Sequence, residues 1–235
     1  NGWALDLDAL RHHLRPNTRA IVVNLPHNPT GALMPQQDYG ALHDLARARG
    51  VLLFCDEVYG ECGYRPADRV PGGCDMGPHA VSLGVTSKTY GLAGLRIGWI
   101  ATHDADLYRR MAALKDYTTI CNSAPSEFLA ELALRHRAQL AARNRALIAR
   151  NLDLLDAFFA RHADRFAWRR PQAGPIAFPR LLGQPVEDFC EDLVRAASVL
   201  LLPGTVYGHP GNHFRIGFGR ENLPAALARL DQYLA

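Results

Sequence analysis

The most constraining feature of this sequence is a strand, a helix and a second strand in immediate succession. The apolar run Ala20–Val23 leads into a loop rich in proline, asparagine and glycine, which is typical of a buried parallel strand. Pro35 can begin a helix and Gly50 can end it in the left-handed conformation. Strand character returns at Val51–Cys55. Because such a crossover is right-handed and joins parallel strands, the order predicts an α/β fold with a mostly parallel sheet.

The rest of the chain predicts two domains of unequal size. From 126 to 162 the apolar pattern is helical almost throughout, and a helix of this length often bridges two domains. After Arg165 short strands alternate with helices, which indicates a smaller α/β domain. We predict a large domain at 1–150, including the start of the bridging helix, and a small C-terminal domain at 151–235. The strands expected in the small domain are Ala177–Leu181, Leu200–Pro203 and Phe214–Phe218, and its helices are Val186–Ala197 and Pro224–Leu234.

Composition excludes several classes of partner. The 26 basic and 23 acidic residues are too evenly mixed to favour nucleic acid or an acidic membrane. No apolar run approaches the roughly 20 residues that span a bilayer. Five cysteines without a CxxC pair indicate a reducing compartment. We therefore expect a cytoplasmic protein that binds neither nucleic acid nor membranes.

Two short motifs follow the first two predicted strands, where open α/β sheets place their ligands. In the loop 24–31, two prolines and a glycine fix the backbone while Asn28 presents a side-chain amide. This loop alone is as typical of a turn as of a binding site. The second motif places Asp56 at a strand end and Tyr59 three residues later. Taken alone, Asp56 is as typical of a helix cap as of a binding site, and Tyr59 is as typical of a buried core residue.

Two further motifs carry basic residues. Ser87 and Lys88 lie between a predicted strand and a glycine-rich loop, and Arg96 follows eight residues after the lysine. A solvent-facing lysine is the ordinary alternative. Arg215 interrupts the apolar strand 214–218, where an unpaired buried charge would be costly. The order of the four motifs constrains function more than any one of them.

Together the four motifs resemble the fold-type-I pyridoxal-5′-phosphate (PLP) enzymes of the class I/II aminotransferase family. That family shows, in the same order, an NPTG loop, a DxxY strand end, an SK lysine with a distal arginine, and a late arginine. The resemblance runs from near the start of this chain to its end. It implies a three-layer αβα large domain with a smaller α/β domain, PLP as cofactor, and a homodimer with shared active sites.

The resemblance also implies catalytic roles. Lys88 would form a Schiff base with the PLP aldehyde and shuttle the proton at the substrate Cα, which requires a lysine of lowered pKa. Asp56 would pair with the ring nitrogen and keep it protonated. Asn28 and Tyr59 would donate hydrogen bonds to the 3′-oxygen of the ring.

The remaining implied roles concern the phosphate and the substrate. Arg96 would bind the cofactor phosphate, and Ser87 could add a hydroxyl or simply hydrogen-bond at the strand end. Arg215 would bind the substrate α-carboxylate, and Asn28 would also bind the substrate. Many relatives carry a serine three residues before the lysine, whereas this chain has Val85 there.

The family's glycine-rich phosphate loop, ring-stacking aromatic residue and N-terminal arm all precede the NPTG loop. Only 27 residues precede Asn28 here, and the chain does not begin with methionine. We therefore expect the N-terminal part of the family's fold to be absent from this sequence.

The resemblance predicts an aminotransferase of the EC 2.6.1 type, which moves an amino group between an amino acid and a 2-oxo acid. The same residues can serve a β-eliminating lyase, a cyclase or a decarboxylase, because all these reactions begin by breaking a bond at Cα. A third hypothesis is the aminotransferase-like sensor domain of a transcription regulator, and a fourth is a noncatalytic fragment that dimerises.

No metal site is predicted. The adjacent residues His12–His13 point in different directions on an amphipathic segment. His209 and His213 are separated by a proline and a glycine, which preclude the helix that would aim both rings at one metal. We expect these two histidines to be loop residues.

Overall fold

The computed structural model describes residues 2–235, the Pro66 side chain excepted, and it divides into two compact units. The first unit comprises the residues up to His27 together with Ala32–Ala142. The second comprises Asn28–Gly31 and Arg143–Ala235. The domain boundary predicted after residue 150 stays a prediction.

A four-stranded sheet forms the centre of the first unit, in the order β1-β2-β3-β4. The first three strands are parallel, and β4 runs antiparallel to β3. The parallel sheet predicted from the strand–helix–strand succession is therefore present, with one antiparallel strand at its edge. The strands are β1 (Ala20–Asn24), β2 (Leu52–Asp56), β3 (Ala80–Val85) and β4 (Gly98–Thr102).

Capping and helix-ending residues define the boundaries of the first two helices. Helix α1 (Leu7–His13) is capped by Asp6, whose carboxylate accepts hydrogen bonds from two backbone N–H groups of the first turn. The crossover helix α2 (Gln36–Arg49) begins after Pro35 and ends at Gly50, which has a φ of 59°. Helices α3 (Ala105–Thr118) and α4 (Ala124–Arg135) follow the sheet.

One face of this sheet packs against α2, and the other is more open. Leu53 and Ala80 are fully buried beneath Leu42 of α2. On the opposite face, the side chain of Val22 is 70% exposed and that of Ile100 is 46% exposed. Alternation along each strand places Asp56 on the same face as Val22, because side chains point to opposite faces in turn.

The second unit contains helix α5 (Arg137–Arg161) from Arg143 onward and two small antiparallel sheets, β5-β7 and β6-β9-β8. Phe166, Phe189 and Phe214 contact one another at ring-centroid distances of 5.7 to 5.9 Å in its core. The remaining elements are β5 (Phe166–Ala167), β6 (Ile176–Ala177), β7 (Arg180–Leu181), α6 (Val186–Ala197), β8 (Leu202–Pro203), β9 (Phe214–Gly217) and α7 (Leu223–Leu234). Among the helices of residues 2–235, none combines the length and the apolar character needed to cross a membrane.

Candidate active site

Three of the predicted site residues meet at one edge of the first unit's sheet. Asp56 ends β2, and Lys88 follows β3 by three residues, so both lie beyond the carboxyl ends of parallel strands. Strand β4 is antiparallel and starts with Gly98 opposite Val85, which brings Arg96 to the same edge. The structure therefore gathers a carboxylate, an amine and a guanidinium where open α/β sheets bind their ligands.

The turn after β2 holds Asp56 and Tyr59. Asp56 Oδ1 accepts a hydrogen bond from Val58 N at 3.1 Å, and the Tyr59 side chain is almost completely buried. Tyr59 is thus the buried tyrosine of the local alternative, but Asp56 caps no helix, because a turn follows β2. The hydrogen bond in this turn and the packing of Tyr59 do not oppose a role in binding, because they also fix the direction of the carboxylate.

Glu57 secures this turn from the other face of the sheet. Its Oε1 accepts hydrogen bonds from Gly73 N at 2.6 Å and from Ser82 Oγ at 2.8 Å. Burial raises the pKa of the Glu57 carboxyl, and the two hydrogen bonds oppose that shift. The strand end that carries Asp56 is therefore tied to β3 and to the short 3-10 helix at Gly73–Met76.

Lys88 is exposed, and its amine has no hydrogen bond or ion pair within the part of the chain that the structure describes. Its neighbours are held much more firmly. Thr86 is fully buried, Thr89 is 5% exposed, and Ser87 is half-buried beside the lysine. The Lys88 side chain thus projects from an anchored backbone and remains available to a ligand.

Arg96 occupies an unusual backbone conformation. Its φ of 56° and ψ of 36° lie in the left-handed region, which costs a residue other than glycine roughly 1 kcal/mol. The guanidinium Nη1 donates to Ala93 O at 3.0 Å, and the side chain is otherwise exposed. Such strain is common at binding sites.

Asn28 and Arg215 lie in the second unit. Gly31 O, at the end of the Asn28 loop, accepts hydrogen bonds from Gln172 N at 2.9 Å and Ala173 N at 3.0 Å. The same segment continues into β6, which pairs with the Arg215 strand β9. Within this unit the structure therefore joins the Asn28 loop to the strand of the predicted carboxylate-binding arginine.

Arg215 is half-buried and incompletely paired. Its Nη1 donates to Tyr207 Oη at 3.3 Å, whereas its buried Nε has no hydrogen-bond partner among residues 2–235. An unpaired buried N–H of a charged group is costly, so this nitrogen favours an anionic ligand. The sequence motif pointed to Arg215, but nothing in the motif indicated that Tyr207 would orient it.

His209 and His213 lie in a loop, as expected, yet the loop brings their rings together. His209 Nε2 lies 3.1 Å from His213 Nδ1, and the His213 ring stacks on Phe178. Burial lowers the pKa of His213, and the nearby His209 adds to that shift. A turn can therefore bring histidines four residues apart into contact without a helix.

The chemistry of these side chains suits a phosphorylated aldehyde and a carboxylate. An exposed primary amine can bond to an aldehyde carbon, and a neighbouring guanidinium can bind a phosphate through parallel hydrogen bonds. A carboxylate without a basic partner among the described residues, such as Asp56, can hold a proton on a ring nitrogen.

Comparison with known proteins agrees with this chemistry. A family model described as "Aminotransferase class I and II" matches residues 1–230. Capreomycidine synthase from Streptomyces vinaceus is 32% identical over 237 residues, which cover 100% of this chain and 60% of that protein. The probable N-succinyldiaminopimelate aminotransferase DapC from Mycobacterium tuberculosis is 32% identical over 217 residues, covering 89% of this chain and 53% of DapC. The chain thus spans 53 to 60% of the length of these two relatives.

Solved structures give the same result for the fold. A PLP-dependent aminotransferase from Streptococcus suis superposes with a TM-score of 0.91 at 32% identity, covering 99% of this chain and 61% of that one. The PLP-dependent cyclase OrfR gives a TM-score of 0.86 at 35% identity, covering 97% and 61%. The predicted fold-type-I α/β class is therefore confirmed, and this chain belongs to the class I and II aminotransferase family.

Proposed function

We propose that this chain is the lysine-bearing part of a PLP-dependent aminotransferase of the EC 2.6.1 type. The observation that carries the proposal is the position of Asp56, Lys88 and Arg96 at the sheet edge where the parallel strands β2 and β3 end. Membership of the family supports it. The proposed substrates are an amino acid and a 2-oxo acid.

When bound, PLP supplies a ring that accepts the electron pair released when a bond to the substrate Cα breaks. Lys88 Nζ would hold the cofactor through its aldehyde carbon and, once displaced by the substrate amine, move the proton at Cα. Asp56 would keep the ring nitrogen protonated. Tyr59 and Asn28 would donate hydrogen bonds to the ring oxygen.

Two arginines would bind the anionic ends of the ligands. Arg96 would bind the phosphate, with Ser87 as a further donor from the residue before the lysine. Arg215 would bind the substrate α-carboxylate, and its incompletely paired Nε supports this role. A guanidinium suits both positions, because its planar fork makes two parallel hydrogen bonds to an oxyanion.

A second candidate function is cyclisation of an amino acid by a PLP-dependent enzyme. It is favoured by the 35% identity to the PLP-dependent cyclase OrfR. Cyclisation and transamination both begin at Cα, so the residues above would serve either reaction. The two reactions differ in whether the amino group leaves the substrate.

The fate of the amino group tests the proposed function. The full-length protein, loaded with PLP, is mixed with single amino acids in the absence of any 2-oxo acid. An aminotransferase converts its amino acid to the matching 2-oxo acid in an amount equal to the active sites, and then stops. Continuous turnover to a product that retains the nitrogen would instead establish the cyclase.

We further propose a homodimer with shared active sites. Large apolar side chains remain exposed on α3, α4 and the turn between them, which is unusual for a surface that stays in water. The most exposed are Leu114, Tyr117, Ile120 and Phe128. A second copy of the chain is the proposed cover for this surface.

A cytoplasmic location is likewise proposed. All five cysteines are free thiols, and three of them, Cys55, Cys62 and Cys190, are buried. Burial raises the pKa of the Cys55 and Cys190 thiols to about 11, which keeps them protonated and unreactive. Free thiols are typical of proteins in a reducing compartment.

A further inference from the structure

The loop that carries Lys88 is anchored by a residue to which no role has been assigned. Thr86 follows β3 directly and is completely buried. Its hydroxyl donates to Ile97 O at 3.1 Å, and its backbone N–H donates to the same carbonyl at 3.1 Å. Because Ile97 is the residue after Arg96, these bonds join the C-terminal end of the loop to its N-terminal end.

Thr86 also holds the middle of the loop. Its backbone carbonyl accepts a hydrogen bond from Leu92 N at 3.1 Å, and its hydroxyl lies 3.4 Å from Leu92 O. Lys88 therefore belongs to a closed turn whose two ends converge on one buried side chain. A buried hydroxyl with backbone partners imposes a specific geometry, because misplaced carbonyls would lose their hydrogen bonds.

The hydrogen bonds of Thr86 lie next to the strained backbone of Arg96. A residue other than glycine stays in the left-handed region only where its surroundings force it to. Arg96 has a φ of 56°, and the carbonyl of the next residue is the one that Thr86 binds twice. Thr86 thus constrains the backbone next to Arg96, and that backbone sets the direction of the Arg96 guanidinium.

We propose that Thr86 is a positioning residue, which fixes the Lys88 amine and the Arg96 guanidinium relative to each other for one phosphorylated aldehyde. This proposal rests on the proposed function. It predicts that the Thr86 hydroxyl affects cofactor affinity as well as stability, although the hydroxyl is buried and hydrogen-bonds to backbone carbonyls.

The test compares Thr86→Val with Thr86→Ser in the full-length protein. Valine keeps the shape of threonine and removes the hydroxyl, so the affinity of the apo protein for PLP should fall roughly ten-fold, or about 1.4 kcal/mol. Serine keeps the hydroxyl and should restore most of the affinity. In the apo protein, Thr86→Val should also speed hydrogen exchange at the Leu92 amide, a readout that needs no cofactor.

Thr102→Val is the matched control. The Thr102 hydroxyl donates to Ala80 O at 3.3 Å, across the same β3/β4 pair but at its opposite end. This variant should lower the melting temperature and leave PLP affinity unchanged. Equal affinity losses in Thr102→Val and Thr86→Val would overturn the proposal, as would unchanged affinity in Thr86→Val. Failure of wild-type Lys88 to bond to PLP would instead overturn the proposed function and this inference together.

Discussion

At the scale of single residues, the two basic groups central to this account have opposite environments. The Lys88 amine is exposed, and no hydrogen bond or ion pair in residues 2–235 holds it. Arg215 is half-buried and is oriented by the Tyr207 hydroxyl. The exposed environment of Lys88 suits a group that must move during a reaction. The half-buried environment of Arg215 suits a group that must hold a substrate in place.

Replacing Arg215 with lysine tests the carboxylate role. Lysine keeps the charge but loses the fork, so KM for the amino acid should rise roughly 10- to 100-fold, which is the range expected for a hydrogen bond between charged groups. Steady-state kinetics with the amino acid varied measures this effect. Arg229→Lys, an exposed change on α7, is the control. A normal KM in Arg215→Lys would remove Arg215 from the substrate site.

Acid stability should depend on a histidine pair in which His43 is buried and His79 is half-buried. His43 Nδ1 lies 3.2 Å from His79 Nε2. Burial, and then the nearby His79, lower the pKa of His43 from 6.5 to about 4, while Asp44 opposes the shift. Burial and the nearby Arg47 lower the pKa of His79.

The unfolded chain therefore takes up a proton on His43 before the folded chain does. Between about pH 6.5 and 4 the unfolded state binds more protons, so stability should fall as the pH falls, by roughly 3 kcal/mol from this residue. Urea unfolding at several pH values measures the slope. His43→Phe, which keeps a ring beside Tyr39, should flatten it, whereas the exposed change His103→Ala should not. An unchanged slope in His43→Phe would show that His43 does not titrate in this way.

Sequence motifs could predict residues that carry distinctive chemistry, such as Lys88 and Arg215. They could not predict supporting contacts such as Thr86 to Ile97 or Arg215 to Tyr207. These contacts depend on how a loop closes and on strand register, and a threonine or tyrosine has too many ordinary roles for its type alone to signal one.

At the scale of elements, the loop from Asn28 to Gly31 is held by close backbone packing. Gly31 has a φ of 66°, and a Cβ there would lie 2.5 Å from Pro171 Cβ and 2.8 Å from Ile176 O. Such approaches are far below ordinary contact distance, and two of the neighbouring atoms are backbone oxygens that cannot move aside.

Gly31→Ala should therefore destabilise the protein by more than the cost of a left-handed alanine alone, which is about 1 kcal/mol. Gly50→Ala is a matched control, because Gly50 has a φ of 59° and open space around its Cβ position. Chemical denaturation of both variants gives the difference. Equal losses of stability would mean that the loop yields to the extra methyl group.

The accuracy of the element predictions followed the strength of the local signal. Helix α6 was predicted with its observed bounds, because its apolar stripe and its flanking Pro185 are unambiguous. Strand β4 begins at Gly98, two residues after Arg96, since Arg96 belongs to the strained loop. The antiparallel direction of β4 could not be predicted, because an apolar run carries no information about direction.

At the scale of the whole molecule, several exposed apolar side chains are grouped on α3, α4 and the turn between them. Tyr117 is 91% exposed and Ile120 is 72% exposed. Composition could not predict this surface. An apolar residue on a helix indicates that the residue is buried, but not whether the same chain or another chain covers it.

The homodimer proposal predicts that charges on this surface separate the subunits. Ile120→Glu combined with Phe128→Glu should shift the mass in solution from dimer to monomer, because burying two carboxylates is costly. Sedimentation equilibrium measures the mass. Leu200→Glu, at a position as exposed as Ile120 in the second unit, should leave the dimer intact. A dimer that survives the double change would place the interface elsewhere.

The central claim is that the Lys88 amine forms a covalent bond with PLP, and one labelling experiment tests it directly. The full-length protein is loaded with PLP, reduced with borohydride, digested and analysed by mass spectrometry. A phosphopyridoxyl group is expected on Lys88 and none on Lys115, the other lysine of the chain. An unmodified Lys88 in a protein that has bound PLP would show that Lys88 is not the cofactor-binding lysine.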